Sequence, residues 1–169
     1  MPSENQTLKL APGESLRIVS SDPGALVVEA TYDVAGRPPP KHMHPQQDEL
    51  FEVLEGKLTV RIAGEQETLP AGETIAVPRR VTHQMWNAGE TPAKVRWTTS
   101  PAGRTEEWFR ALDALRKEGK VDKNGMPAVL PFARLAADYD DTFRLVVGPD
   151  LASRLVIRAM AFVGRLRGA

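Results

Sequence analysis

Gly36-Arg-Pro-Pro-Pro-Lys-His42-Met-His44-Pro-Gln-Gln-Asp-Glu49-Leu-Phe-Glu-Val-Leu-Glu-Gly56 decides how the rest of this chain is read. His42 and His44 are two residues apart. In an extended strand alternate side chains share a face, so both imidazoles project together. Glu49 follows after a short polar stretch and can swing back toward them from the next strand. A second stretch, Gly72-Glu-Thr-Ile-Ala-Val-Pro78-Arg-Arg-Val-Thr-His83-Gln-Met-Trp-Asn87, supplies another histidine. The chain has 3 His in all, and every one lies in these two stretches. Three neutral imidazoles and one carboxylate form a mixed nitrogen and oxygen donor set that suits a divalent transition metal.

The two stretches resemble the paired motifs of the cupin superfamily. Gly36, His42, His44, Glu49 and Gly56 fit the first motif, and Gly72, Pro78, His83 and Asn87 fit the second. One position departs, because Arg80 stands where the family usually has Gly. If that position needs a positive φ, Arg there costs about 1 kcal/mol. The resemblance runs from Leu16 to Pro101, with quercetin-dioxygenase-like cupins as the nearest type. It implies an all-β fold, the double-stranded β-barrel or cupin jelly roll. It also implies one divalent metal (Fe, Mn, Ni, Cu or Zn) on His42, His44, Glu49 and His83. Four protein ligands leave open coordination positions, which separate a catalytic site from a structural one. Glu49 is the ligand most ready to loosen and accept a proton, which makes it the candidate catalytic residue.

Composition narrows the alternatives. The 169 residues carry 22 Lys+Arg and 22 Asp+Glu, a formal net charge of zero, so nucleic acid is not expected as a partner. With no Cys, the chain has neither disulfides nor thiolate ligands. The N-terminus shows no basic stretch followed by an apolar run, and no apolar run reaches the ~20 residues of a membrane span. A cytoplasmic location is the expectation.

Short runs rich in β-formers, separated by Gly and Pro turns, read as strands of a sandwich or barrel. They cover Leu8–Leu10, Ser15–Ser20, Ala25–Val34, Glu49–Glu55, Leu58–Ile62, Gln66–Leu69, Thr74–Val77, Thr82–Trp86 and Ala93–Thr99. Glu55-Gly56-Lys57 reads as a tight hairpin. Arg37-Pro-Pro-Pro40 cannot be a central strand, since three consecutive residues lack an N–H; it is a stiff approach to His42. Tyr32, Phe51, Met85, Trp86 and Trp97 are large side chains near the site, expected to be ordinary core. Asn87 is expected to satisfy a turn, and Arg79 and Arg80 to be solvated.

After Pro101 the period changes. Residues 1–101 therefore form the expected barrel and residues 102–169 a helical C-terminal extension. Thr105 is a suitable N-cap, with Trp108, Phe109, Leu112 and Leu115 as the apolar stripe and Asp113 facing away; Gly119 ends the helix. Phe132–Tyr139 reads as a second helix. The segment from Pro149 to Leu166 interleaves apolar residues with Arg154, Arg158 and Arg165. It is expected to pack on the barrel or on a second subunit of a homodimer. The competing reading is contact with an anionic membrane surface.

The functional expectation is a metal-dependent enzyme acting on a small organic substrate, of dioxygenase type. An isomerase needs a further acid/base pair near the metal, and the sequence singles none out. The reading from another class is a metal-dependent binding or sensing module without turnover.

Overall fold

The computed structural model describes residues 7–168. Residues 1–6, read above for a leader, lie outside that range. The chain runs β1 (Thr7–Ala11), β2 (Glu14–Ser21), β3 (Leu26–Tyr32), β4 (His42–Met43), β5 (Asp48–Glu55), β6 (Lys57–Ile62), β7 (Glu65–Pro70), β8 (Thr74–Val77), β9 (His83–Trp86) and β10 (Ala93–Ser100). Three helices and one more strand follow: α1 (Thr105–Lys117), α2 (Val129–Asp138), β11 (Arg144–Leu145) and α3 (Asp150–Leu166).

Two antiparallel sheets face each other as a jelly roll, ordered β1-β2-β3-β10-β5-β8 and β11-β4-β9-β6-β7. Alternation sets what each strand buries. Leu26, Val28, Ala30 and Tyr32 of β3 point inward, as do Ala93, Val95, Trp97 and Thr99 of β10. Strand β10 lies between β3 and β5, pairing Trp97 with both Val28 and Phe51, and Thr99 with Glu49. Trp97 thus sits mid-sheet and stacks on Phe51, with ring centroids 5.3 Å apart. At the β2–β3 turn Asp22 Oδ1 accepts the N–H groups of Gly24 (2.8 Å) and Ala25 (3.1 Å), which is the chemistry that makes Asp a turn former.

Gly56 is a corner, not the hairpin expected from Glu55-Gly56-Lys57. Strand β5 pairs with β10 and β8, while β6 belongs to the opposite sheet. The chain bends between sheets at Gly56, with φ +73°, where a Cβ would lie only 2.3 Å from the Pro92 carbonyl oxygen. Close backbone approach and positive φ both demand glycine here. Gly64, by contrast, lies in a true hairpin between β6 and β7.

Several expectations for the C-terminal segment need correction. Thr105 is the first helical residue of α1 rather than its cap; Arg104 holds the cap position and makes no side-chain capping bond. Asp113 does not face away. It is buried, accepts the Lys9 N–H at 3.0 Å and pairs with Lys117 at 2.5 Å, tying α1 to the edge strand β1. Helix α2 begins three residues earlier than expected, at Val129, because Pro131 falls in its first turn, where no N–H is required. The segment is also not wholly helical, since β11 pairs antiparallel with β4 and extends the second sheet.

Helix α3 packs on α2 through Ile157, Ala161 and Gly164. Leu151, Leu155, Phe162 and Leu166 point outward, with Leu151 at 70% and Leu166 at 72% exposure. No helix among the described residues is long and apolar enough to cross a membrane.

Candidate metal centre

His42 lies in β4 and pairs across the sheet with His83 of β9. His44 follows directly after the short β4, and Glu49 enters from β5 of the opposite sheet. Opposed inner faces therefore bring four donors from three strands and a loop into one place. One nitrogen from each of His42, His44 and His83 lies within 4.8 Å of the other two. Glu49 Oε1 is 3.2 Å from His44 Nε2, and Glu49 Oε2 is 3.0 Å from His83 Nε2.

Each imidazole is anchored through its other nitrogen. His42 Nδ1 lies 2.9 Å from the Pro40 carbonyl, His83 Nδ1 3.0 Å from that of Val81, and His44 Nδ1 2.7 Å from that of Thr142. A carbonyl only accepts, so each Nδ1 carries a proton, and in the neutral imidazole each Nε2 presents a lone pair. The stiff Pro38–Pro40 run fixes the first anchor. Phe143 stacks on His42 at 4.9 Å and lies 6.1 Å from His44. Trp97 donates its indole N–H to Glu49 Oε1 at 2.9 Å.

Lone pairs on the imidazoles thus face a carboxylate inside the barrel, and His44 Nε2 and Glu49 Oε2 are buried without a hydrogen-bond partner. Acceptors this close repel unless a cation stands among them. The donor set and its outer anchors therefore fit a divalent transition metal, which needs neutral imidazoles oriented in this way. Burial, reinforced by His83 and His44, pushes the His42 imidazole down to about 3. Burial also lowers His44, against the pull of Glu49. Burial alone would raise Glu49, but positive charge on the facing imidazoles, His44 foremost, lowers its carboxyl to about 2, and a cation held by neutral imidazoles would pull in the same direction.

A cavity of about 180 Å³ opens beside the three histidines, its wall largely apolar. Tyr32, Phe51, Met85 and Trp97, expected as core, do pack in the core and also line this cavity. Trp86 does not line it; its ring lies under the Arg61 guanidinium, 5.3 Å from centroid to Cζ. Trp108, Phe109, Phe132 and Phe143 from the C-terminal segment close the same space. Asn87 satisfies its turn, donating to the Thr91 carbonyl at 2.8 Å and accepting the Gly89 N–H at 2.9 Å. Arg79 is held by Asp48 through bonds of 2.8, 3.1 and 2.6 Å, and Arg80 takes φ +66°. Neither arginine lines the cavity.

Sequence reasoning missed Thr142, Phe143 and the Trp97–Glu49 bond. A backbone carbonyl carries no residue signature. A tryptophan in a strand reads as core until its N–H is seen to meet a carboxylate.

The cupin domain family model (Cupin_2) matches residues 28–99. Among curated proteins, the tetracenomycin polyketide synthase protein TcmJ of Streptomyces glaucescens is 38% identical over 61 residues, 36% of this chain and 41% of that protein. Oxalate oxidase 1 of Hordeum vulgare is 36% identical over 62 residues, 32% of this chain and 31% of that protein. The matches thus span well under half of these relatives' length. Among solved structures, KdgF from Halomonas sp. superposes with a TM-score of 0.56 at 24% identity, covering 63% of this chain and 96% of that one. An RmlC-like cupin from Shewanella frigidimarina gives 0.55 at 21% identity, covering 63% and 92%. These two likenesses concern the fold.

Proposed function

We propose that this chain, whose barrel belongs to the cupin superfamily, is a metal-dependent enzyme acting on a small organic substrate, of the dioxygenase type. The observation that carries this reading is the convergence of three Nδ1-anchored imidazoles on Glu49 beside an apolar cavity. His42, His44, Glu49 and His83 would hold the metal. Bound there, it supplies Lewis acidity and, in redox-active forms, electron exchange with dioxygen.

The protein's own share is orientation and exclusion of water. The carbonyls of Pro40, Val81 and Thr142 hold the imidazoles in one tautomer and rotation. Trp97 holds Glu49 by Oε1, so the carboxylate can swing only about that bond. Its depressed pKa keeps it ionised as a ligand; accepting a proton requires it first to loosen from the imidazoles. The aromatic wall strengthens each electrostatic contact inside. An oxidase among the relatives is in keeping with redox use of such a site.

Oxygen consumption with candidate flavonoids and diketones tests the proposal. Uptake that stops on chelation and is missing from His83→Ala supports it. Metal-dependent ligand binding without product would sink the enzyme reading in favour of a binding module.

A further inference from the structure

The cavity has a second polar feature away from the histidines. Glu14, at the start of β2, stands directly opposite Tyr32 of β3. Both residues line the cavity as cross-strand neighbours, the Glu14 carboxyl beside the Tyr32 phenol. Among the described residues that line the cavity, the only ionisable groups besides the three histidines are these two. The remaining wall is apolar, with Phe51, Trp97, Trp108, Phe109, Phe132 and Phe143 presenting aromatic surface. The space, about 180 Å³, exceeds the roughly 150 Å³ of an engineered apolar cavity that takes up benzene.

A carboxyl facing an apolar cavity is costly unless paired, and one phenol satisfies only part of it. The carboxyl and the phenol are the polar groups that a guest away from the histidines would meet. We propose that Glu14 and Tyr32 form a ligand-binding pair that hydrogen-bonds the hydroxyl group of an aromatic ring compound, the rest of which lies on the aromatic wall between this pair and the histidines. This deepens the enzyme reading by naming a substrate class, hydroxylated aromatic compounds. Burial pushes the Glu14 carboxyl up to about 7, against the neighbouring Tyr32 phenol, which lowers it. A carboxyl accepts from a guest hydroxyl in either protonation state and can also donate when protonated.

Calorimetric titration of the full-length, metal-free protein with naphthalene and with 2-naphthol tests the pair separately from any metal. The native protein is expected to bind 2-naphthol about tenfold more tightly than naphthalene, the effect of one well-formed hydrogen bond. In Tyr32→Phe or Glu14→Ala this preference should fall to about unity. Retained naphthalene affinity in those variants would show that the cavity is intact. Glu14→Gln, which keeps the shape and a hydrogen-bonding group, is the substitute if Glu14→Ala does not fold, and should weaken the preference. No preference in the native protein, or no binding of either compound, overturns the proposal. So does a preference that persists undiminished in both single variants, which would place the hydroxyl on the histidines instead. Failure of the metal reading leaves every one of these outcomes unchanged.

Discussion

His44 Nδ1 lies 2.7 Å from the backbone carbonyl of Thr142, 98 positions further along the chain. Strand β11, two residues beyond Thr142, pairs with β4 and holds that carbonyl in place. The C-terminal segment is therefore part of the candidate centre rather than an appendage. Phe143, stacked on His42 and on Trp108, clamps the same loop. Phe143→Leu should reduce metal affinity about tenfold, as changes in groups that orient ligands commonly do. Competition with a chromophoric chelator measures it. An unchanged affinity in a folded variant would refute the role given to this loop.

Elemental analysis of natively purified protein should find close to one divalent metal per chain, missing from His83→Ala. Removing one imidazole leaves Glu49 facing a gap. No metal in the native protein, even after anaerobic reconstitution, would mean that the four donors serve no metal.

Trp97→Phe retains the ring on Phe51 but removes the N–H that Glu49 Oε1 accepts. A buried carboxylate oxygen then loses its donor, at a cost of about 1–3 kcal/mol. Chemical denaturation of the metal-free protein should show that loss. Metal addition should recover part of it, because the cation takes over the exposed charge.

Two turn substitutions should act in opposite directions. Arg80, at φ +66°, occupies the left-handed region, so Arg80→Gly should stabilise by about 1 kcal/mol. Gly56→Ala adds positive-φ strain to a Cβ placed 2.3 Å from the Pro92 oxygen, and should cost about 3 kcal/mol. Thermal melts of both variants give the signs directly.

Glu14 predicts a pH effect on stability. Its folded pKa, about 7, stands above the ordinary 4.5, so folding favours the protonated form. Stability contributed by that proton is full below pH 4.5 and is lost as pH rises toward 7. Glu14→Gln removes this dependence. Relative to native, the variant should gain on the order of 2 kcal/mol between pH 4.5 and 7.5. Equal pH profiles for the two proteins would show that the carboxyl titrates normally.

The barrel strands and the donor residues were legible because their signals are local. Alternation of apolar residues follows from the strand's period of two, and Gly or Pro turns bound each run. Pro40 and Val81, two residues before the histidines they anchor, belong to the same local stretches. Where local reading failed, distant packing had overridden it. Gly56 looked like a hairpin because the tight turn was visible, but the sheet each flanking strand would join was not. Asp113 looked solvent-facing from helical spacing alone, yet the edge strand β1 covers it and supplies the Lys9 N–H.

By itself, then, the sequence determined the short strands of a sandwich or barrel and which four side chains could form a donor set, and the jelly roll followed from its resemblance to cupins. Only the tertiary structure decided what holds and surrounds them: the Thr142 carbonyl on His44, the Trp97 N–H on Glu49, the Glu14–Tyr32 pair and the aromatic wall from α1, α2 and Phe143. The physical reason is that a hydrogen bond or stacked ring across tens of residues depends on where the sheets place the partners, and no short-range pattern in the chain encodes that distance.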